Sequence, residues 1–133
     1  MLSLTDRELK LHAAAVELVA DACAMSAEQI TSRRRFRAYV QARAVCIYLL
    51  TRIGGISLVK VGQLFSGKDH STVIHARDFI EDCIELNGFG KPYEPYIARI
   101  VNQVQPLFIE RMDAIDGEPY YDAPKFQATA GYL

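Results

Sequence analysis

The sequence predicts an all-α protein, a helical bundle that contains a helix-turn-helix and continues into a C-terminal helical extension. Three observations support this fold class. Apolar residues recur at helical spacing along most of the chain, and no segment shows a convincing strand alternation. Two capping boxes open such helical segments. Residues 56–77 combine two amphipathic helices with a short glycine turn, which is the pattern of a helix-turn-helix.

Charge is segregated along the chain, although the formal net charge is only −1. Residues 1–29 carry two basic and five acidic side chains, residues 30–80 carry nine and two, and residues 81–133 carry four and nine. The basic middle segment contains the predicted helix-turn-helix, and a uniformly solvated surface does not account for this distribution. We therefore expect a nucleic acid to bind the middle of the chain.

Residue usage favours a cytoplasmic protein with one core. The chain has 133 residues, of which 50% are hydrophobic, and this is enough to bury a core. Cys23, Cys46 and Cys83 are widely spaced on apolar stretches, which favours free thiols in a reducing compartment over disulfides or a zinc site. Because no apolar run approaches membrane-spanning length, we expect no membrane segment.

The first predicted helix spans Asp6–Ala24. Thr5–Glu8 forms its capping box, and apolar residues follow at helical spacing. His12 stands alone on this helix and is predicted to be a surface residue.

Two further helices flank a basic loop. Ser26–Gln29 is a second capping box, and the short helix that it opens leads into the basic loop, Ser32–Arg37, which contains four arginines. Tyr39–Ile53 is apolar nearly all round, so it is predicted to be a buried central helix. Gly54 and Gly55 are expected to end it.

The helix-turn-helix follows directly. Ser57 is the expected N-cap of its first helix, and Gly67 supplies the positive φ that the turn needs. Asp69 is expected to cap the second helix by accepting from the N–H of Ser71 or Thr72. In such a motif the second helix enters a DNA major groove by its N-terminal end.

Two carboxylates limit how far this second helix can enter a groove. At 100° per residue, the face opposite the apolar stripe carries four polar residues, Ser71, His75, Asp78 and Asp82. Phosphates would repel the two aspartates. We therefore expect only the first turns, from Lys68 to His75, to lie in a groove.

The C-terminal extension is predicted to contain one helix and an irregular tail. Pro95–Met112 has an apolar stripe at helical spacing, and Pro106 is expected to kink or divide this helix. Asp116–Leu133 shows no period and is expected to be irregular. We divide the chain into a DNA-binding domain, residues 1–88, and an extension, residues 89–133. The stripe is expected to pack on the first helix and the central helix of the same chain, with a homodimer or a replication protein as the alternative cover.

Two motifs carry a resemblance to a known family. The basic loop and the segment Gly67–Ala76, GKDHSTVIHA, stand at the family's own spacing within Val19–Ala76. This block resembles the C-terminal DNA-binding domain of the bacterial chromosomal replication initiator DnaA, with its signature G-[KR]-D-H-[ST]-T-V-x-H-A. The resemblance implies a Trp-repressor-like helix-turn-helix, double-stranded DNA as partner, and a bacterial or phage-encoded protein. The chain is expected to stand alone, without the initiator's ATPase domain.

The resemblance also implies residue roles. Arg35 corresponds to the arginine that enters the minor groove, where narrow A·T-rich DNA concentrates negative potential. Asp69, His70 and Ser71 correspond to the residues that contact bases in the major groove. Six residues are expected to contact the DNA backbone: Arg33, Arg34, Arg37, Arg43, Lys68 and Thr72.

Enzymatic, nucleotide-binding and metal sites find no support in the sequence. Gly62–Asp69 is one residue from a phosphate-binding loop, but it lacks the preceding strand and the hydroxyl for magnesium. His70 and His75 are five positions apart and cannot chelate one metal from a helix. No nucleophile, base and orienting group stand together, so we expect a non-enzyme without cofactor or metal.

We therefore predict a sequence-specific double-stranded DNA-binding protein, acting as a replication accessory factor or a transcriptional regulator. The alternative is a protein-interaction adaptor that keeps the fold and binds a replication or regulatory partner.

Overall fold

The computed structural model describes residues 3–87 and 94–117, and every regular element within them is helical. In chain order these elements are α1 (Asp6–Cys23), α2 (Ala27–Thr31), α3 (Arg37–Tyr48), a π-helical segment (Leu49–Ile53), α4 (Leu58–Leu64), α5 (His70–Asn87) and α6 (Pro95–Asp116). None of the helices in the described ranges is long and apolar enough to cross a lipid bilayer. The all-α prediction is confirmed.

Four of the α-helices, α1, α2, α4 and α5, begin where the sequence places N-caps. Four side chains each accept a hydrogen bond from the backbone N–H three residues on: Thr5 from Glu8 at 3.1 Å, Ser26 from Gln29 at 3.0 Å, Ser57 from Lys60 at 3.3 Å and Asp69 from Thr72 at 2.9 Å. Such bonds satisfy N–H groups that the first turn of a helix leaves without partners. The four predicted helix starts are therefore confirmed.

The core lies around α3, which packs against α1 and α5. Val45 and Cys46 on this helix are fully buried, as expected for a central helix. The apolar stripe of α6 is buried through Ile97, Ile100, Val101, Val104 and Phe108. Its most extensive contact is with α1, so the predicted packing of the extension within the same chain is confirmed.

Two ion pairs accompany that contact. Arg7 Nε lies 2.6 Å from Asp116 Oδ1, and Arg111 Nη1 lies 3.1 Å from Glu17 Oε1. The side chains are partly exposed, so each pair contributes about 0.2–1 kcal/mol at most. Apolar burial therefore holds α6 in place, and the ion pairs fix its C-terminal half along α1.

The central helix differs from its prediction in its last turn. α-Helical bonding ends at Tyr48, and a π-helical segment follows, with the Gly54 N–H donating to the Leu49 carbonyl at 2.8 Å, five residues back. The sequence does not reveal this change, because Leu49 and Leu50 are both fully buried in the π-helical turn, just as they would be in an α-helical one. Gly55 then takes φ +71°, which confirms the predicted glycine stop.

The prediction that Pro106 divides the last helix is wrong, and the predicted end at Met112 is too early. α6 continues without interruption from Pro95 to Asp116. Pro106 lies on the exposed side, while Val104 and Phe108 on either side of it are buried in the core, so packing of this face holds the helix together across the missing N–H. A kink at this position stays a prediction.

His12 is not the surface residue that the sequence suggested. Its ring packs edge-on against Phe65 at a centroid distance of 5.1 Å, and its Nε2 is buried without a hydrogen-bond partner in the described part of the chain. Burial lowers the pKa of His12, so the neutral ring is favoured.

Two predictions, the loop after Asn87 and the tail after Asp116, fall almost wholly on residues 88–93 and 118–133, outside the described ranges. The division at residue 88 stays a prediction.

Candidate nucleic-acid interface

The turn of the helix-turn-helix is held close against α4. Ser66 and Gly67 both take positive φ, +65° and +71°, and the Lys68 N–H then donates to the Gly62 carbonyl at 3.0 Å. A Cβ at Gly62 would lie 2.3 Å from the Lys68 carbonyl oxygen, a distance that real Cβ atoms do not tolerate. Gly62 therefore sets the distance between the turn and α4, a role that the sequence analysis missed.

The first turn of α5 presents polar side chains outward. Asp69 Oδ1 accepts from the Thr72 N–H at 2.9 Å, and hydrogen bonds from Thr72 lower the pKa of the Asp69 carboxyl. His70 and Ser71 are exposed beside it, while Val73 is fully buried in the core. The predicted polar face further along the helix, Ser71, His75, Asp78 and Asp82, is exposed throughout.

The buried side chain of Arg43 holds the basic loop in place. This side chain is only 4% exposed, and its Nε donates to the Ile30 carbonyl at 2.7 Å while its Nη2 donates to the Arg34 carbonyl at 3.1 Å. It thus caps the end of α2 and ties the loop to α3 with one planar group. As a contact with a DNA phosphate, Arg43 stays a prediction.

Aromatic contacts hold the exposed side chains of the same loop together. The Arg34 guanidinium lies over the Phe36 ring at 5.7 Å, and the Phe36 ring meets Tyr39 edge-on at 5.2 Å. Phe36 is nevertheless 55% exposed. An exposed aromatic between arginines is a recurring feature of nucleic-acid surfaces, so its position in the motif could have indicated it.

A cavity of about 190 Å³ lies where the basic loop, α3 and α5 meet. Its polar lining consists of Arg33, Arg35, Arg43, Lys68 and Thr72, with no carboxylate among the lining residues of the described chain. Burial lowers the pKa of Lys68, and repulsion from Arg43, Arg35 and Arg33 lowers it further. Cations that repel one another in this way are complementary to an anion such as a phosphate.

The structure thus brings most of the predicted site residues to one side of the molecule. Four of the predicted contacts line the cavity together with Arg43, the base-contact candidates Asp69, His70 and Ser71 are exposed on the first turn of α5, and Arg34 lies on the loop surface. Arg37 differs, because its Nη2 lies 2.7 Å from Oε2 of Glu94, the residue before α6. Glu94 is 57 positions away, and nothing in the local sequence signals this pairing. Within the described ranges, no three His, Cys, Asp or Glu side chains are placed to hold a metal ion.

This fold and this cationic surface define a DNA-binding protein of the helix-turn-helix class. Residues 13–80 match the family described as the bacterial dnaA protein helix-turn-helix. The match covers more than half of the chain, and the chain belongs to this family. It falls on the DNA-binding domain and not on an ATPase domain, and membership supports the binding of double-stranded DNA.

Individual relatives agree with this assignment. The chain is 40% identical over 91 residues to the chromosomal replication initiator protein DnaA of Gloeobacter violaceus, covering 68% of this chain and 19% of that protein. It is 31% identical over 92 residues to DnaA of Corynebacterium jeikeium, covering 69% of this chain and 14% of that protein. The chain therefore spans less than a fifth of the length of these curated relatives.

A solved structure shares the fold. The crystal structure of a DNA replication initiation factor superposes with a TM-score of 0.59 at 27% identity, covering 77% of this chain and 30% of that one. The matched share of this chain exceeds the family match, so the likeness extends beyond residues 13–80.

Proposed function

We propose that this protein binds double-stranded DNA sequence-specifically, with the first turn of α5 in the major groove and Arg35 in the adjacent minor groove. Asp69 can accept from a cytosine amino group, and His70 can donate to a purine acceptor. Arg33, Arg34, Lys68 and Thr72 hold phosphates and set the register.

One observation carries this proposal: the basic loop and the start of α5 share the walls of one cationic cavity, although they are more than 30 residues apart in the chain. A groove-reading helix and a minor-groove arginine must be held at a fixed separation to contact one duplex. Arg43 and the Gly62 contact supply that fixed geometry.

The experiment is a selection from random duplexes followed by fluorescence anisotropy on the selected and on a scrambled duplex. Asp69→Asn keeps an N-cap, because asparagine caps as well as aspartate, so it changes base contacts without removing the helix start. It should cost about 1–3 kcal/mol on the selected site and little on the scrambled one. Arg34→Gln, a loss of a phosphate contact, should weaken both about equally and reduce the salt slope by about one.

The biological role that we propose is that of a cytoplasmic replication accessory factor or transcriptional regulator, encoded by a bacterium or a phage. The family match and the initiator relatives support it. An adaptor that only binds a protein partner would show no shift of a random duplex at low salt. A flat salt dependence would exclude phosphate binding and with it the whole proposal.

A further inference from the structure

The Glu94 carboxylate lies against the basic loop. Glu94 belongs to a part of the chain outside residues 13–80, the range that matches the family. Its Oε2 lies 2.7 Å from Arg37 Nη2, and the Arg37 side chain is 76% exposed while that of Glu94 is 28% exposed. The two residues also line one surface groove of about 570 Å³ that Arg35 shares. The negative charge is therefore paired with Arg37, which the sequence predicts to contact the DNA backbone, and it lies in a groove that Arg35 also lines.

The backbone holds Glu94 in this place. It takes φ +53° at the start of α6, and its carbonyl accepts from the N–H groups of Ile97 at 3.0 Å and Ala98 at 3.3 Å. Both of these residues are buried in the core. The carboxylate itself makes no capping bond to α6, so no hydrogen bond at the start of that helix depends on it.

We propose that Glu94 is an affinity-determining residue that masks Arg37 from DNA, a proposal that rests on the DNA binding proposed above. A phosphate approaching Arg37 must replace the carboxylate or bind next to it, and either event lowers the net gain. The chain thus binds duplexes more weakly, and with less dependence on salt, than its basic loop alone would dictate.

The test compares Glu94→Gln with the wild type by anisotropy on the selected and the scrambled duplex, over a series of salt concentrations. Removing an exposed ion-pair partner should tighten both complexes about two- to fivefold at low salt. The log–log salt slope should become more negative by about one, because Arg37 becomes available for a phosphate. Thermal unfolding of both proteins checks that the fold is unchanged.

Two matched controls isolate the pairing. Glu110→Gln makes the same charge change on an exposed position of α6, roughly 24 Å further along the helix axis. It should tighten binding by much less than Glu94→Gln. In an Arg37→Gln background, Glu94→Gln should give no steepening of the salt slope.

Three results would overturn the proposal: weaker binding by Glu94→Gln, which would make the pair a positioning contact for Arg37; an equal gain in Glu110→Gln; or the same steepening of slope without Arg37. If the wild-type chain bound no duplex, the proposed function would fall together with this inference. If the wild type bound DNA and Glu94→Gln changed nothing, this inference alone would fall.

Discussion

Replacing Arg43 by lysine separates two roles of this side chain, a contact with a DNA phosphate and a clamp on the basic loop. Lysine keeps the positive charge but lacks the planar fork that donates to the Ile30 and Arg34 carbonyls together. If the clamp dominates, Arg43→Lys should lose stability and bind the selected duplex more weakly. If the phosphate contact dominates, lysine should replace arginine with little loss.

The expected loss follows from the two acceptors. Ile30 is fully buried, and leaving a buried carbonyl unpaired costs about 1–3 kcal/mol. The bond to the Arg34 carbonyl is only partly buried, so its loss costs about 0.5–1.5 kcal/mol. Arg43→Met, which removes both donors but keeps an unbranched apolar side chain, should therefore destabilise the fold by about 1.5–4.5 kcal/mol. Arg43→Lys should fall between this variant and the wild type.

Urea denaturation measures the free energy of unfolding, and anisotropy at a temperature where all variants are folded measures binding. Arg33→Lys is the matched control, because Arg33 is exposed and its one long contact, 3.5 Å to the Ser66 carbonyl, suggests no clamp. It should leave stability unchanged within about 0.5 kcal/mol. An Arg43→Met variant with wild-type stability and a salt slope reduced by one would refute our reasoning, since it would make Arg43 a phosphate contact and nothing more.

Three further predictions concern the helix-turn-helix and its support. Gly62→Ala forces its Cβ against the Lys68 carbonyl, so we expect a loss of about 1–2 kcal/mol in the free energy of unfolding, measured in urea. DNA affinity should fall further than in Gly55→Ala, whose added Cβ meets no atom within 4 Å and which loses stability through its positive φ alone. Because burial and, after it, the neighbouring arginines lower the pKa of Lys68, DNA affinity should fall as the pH rises from neutral toward 10.5, the ordinary pKa of lysine. Lys68→Arg should abolish this decline. Burial lowers the pKa of His12, so this histidine takes up a proton more readily in the unfolded chain than in the folded one. The free energy of unfolding should therefore be highest above pH 6.5, the ordinary pKa of histidine, and decrease as the pH falls below this value. In His12→Gln the decrease should be smaller.

The predicted helix starts were correct because each rests on a short-range rule. Thr5, Ser26, Ser57 and Asp69 act on N–H groups three residues away, so the local sequence contains the whole interaction. The prediction for Pro106 was wrong because whether a proline interrupts a helix depends on what the helix packs against. Packing of Val104 and Phe108 on the rest of the core is not visible in the sequence of α6.

Arg43 shows where a further rule could have been applied. An arginine within a helix that is apolar nearly all round must bury its guanidinium, and a buried donor needs acceptors. The carbonyls at the end of a short preceding helix and in a loop next to it are such acceptors. Glu94 is different, because no spacing rule connects it with Arg37, and only the fold of α6 on α1 brings them together.

Folding also explains how a chain of net charge −1 obtains a cationic surface. Among the basic residues of the middle segment, Arg37, Arg52 and Lys60 pair with Glu94, Glu81 and Glu8, all of which come from outside that segment. Arg77 pairs with its neighbour Asp78, and Arg43 is buried. In the ranges that the structure describes, this leaves Arg33, Arg34, Arg35 and Lys68 without an ion pair, all on the basic loop or at the start of α5. If these four cations contact DNA as proposed, we expect a log–log salt slope of about −3.6. In the proposed complex the other cations are paired with residues from the acidic ends of the chain, which leaves this part of the basic segment to face DNA.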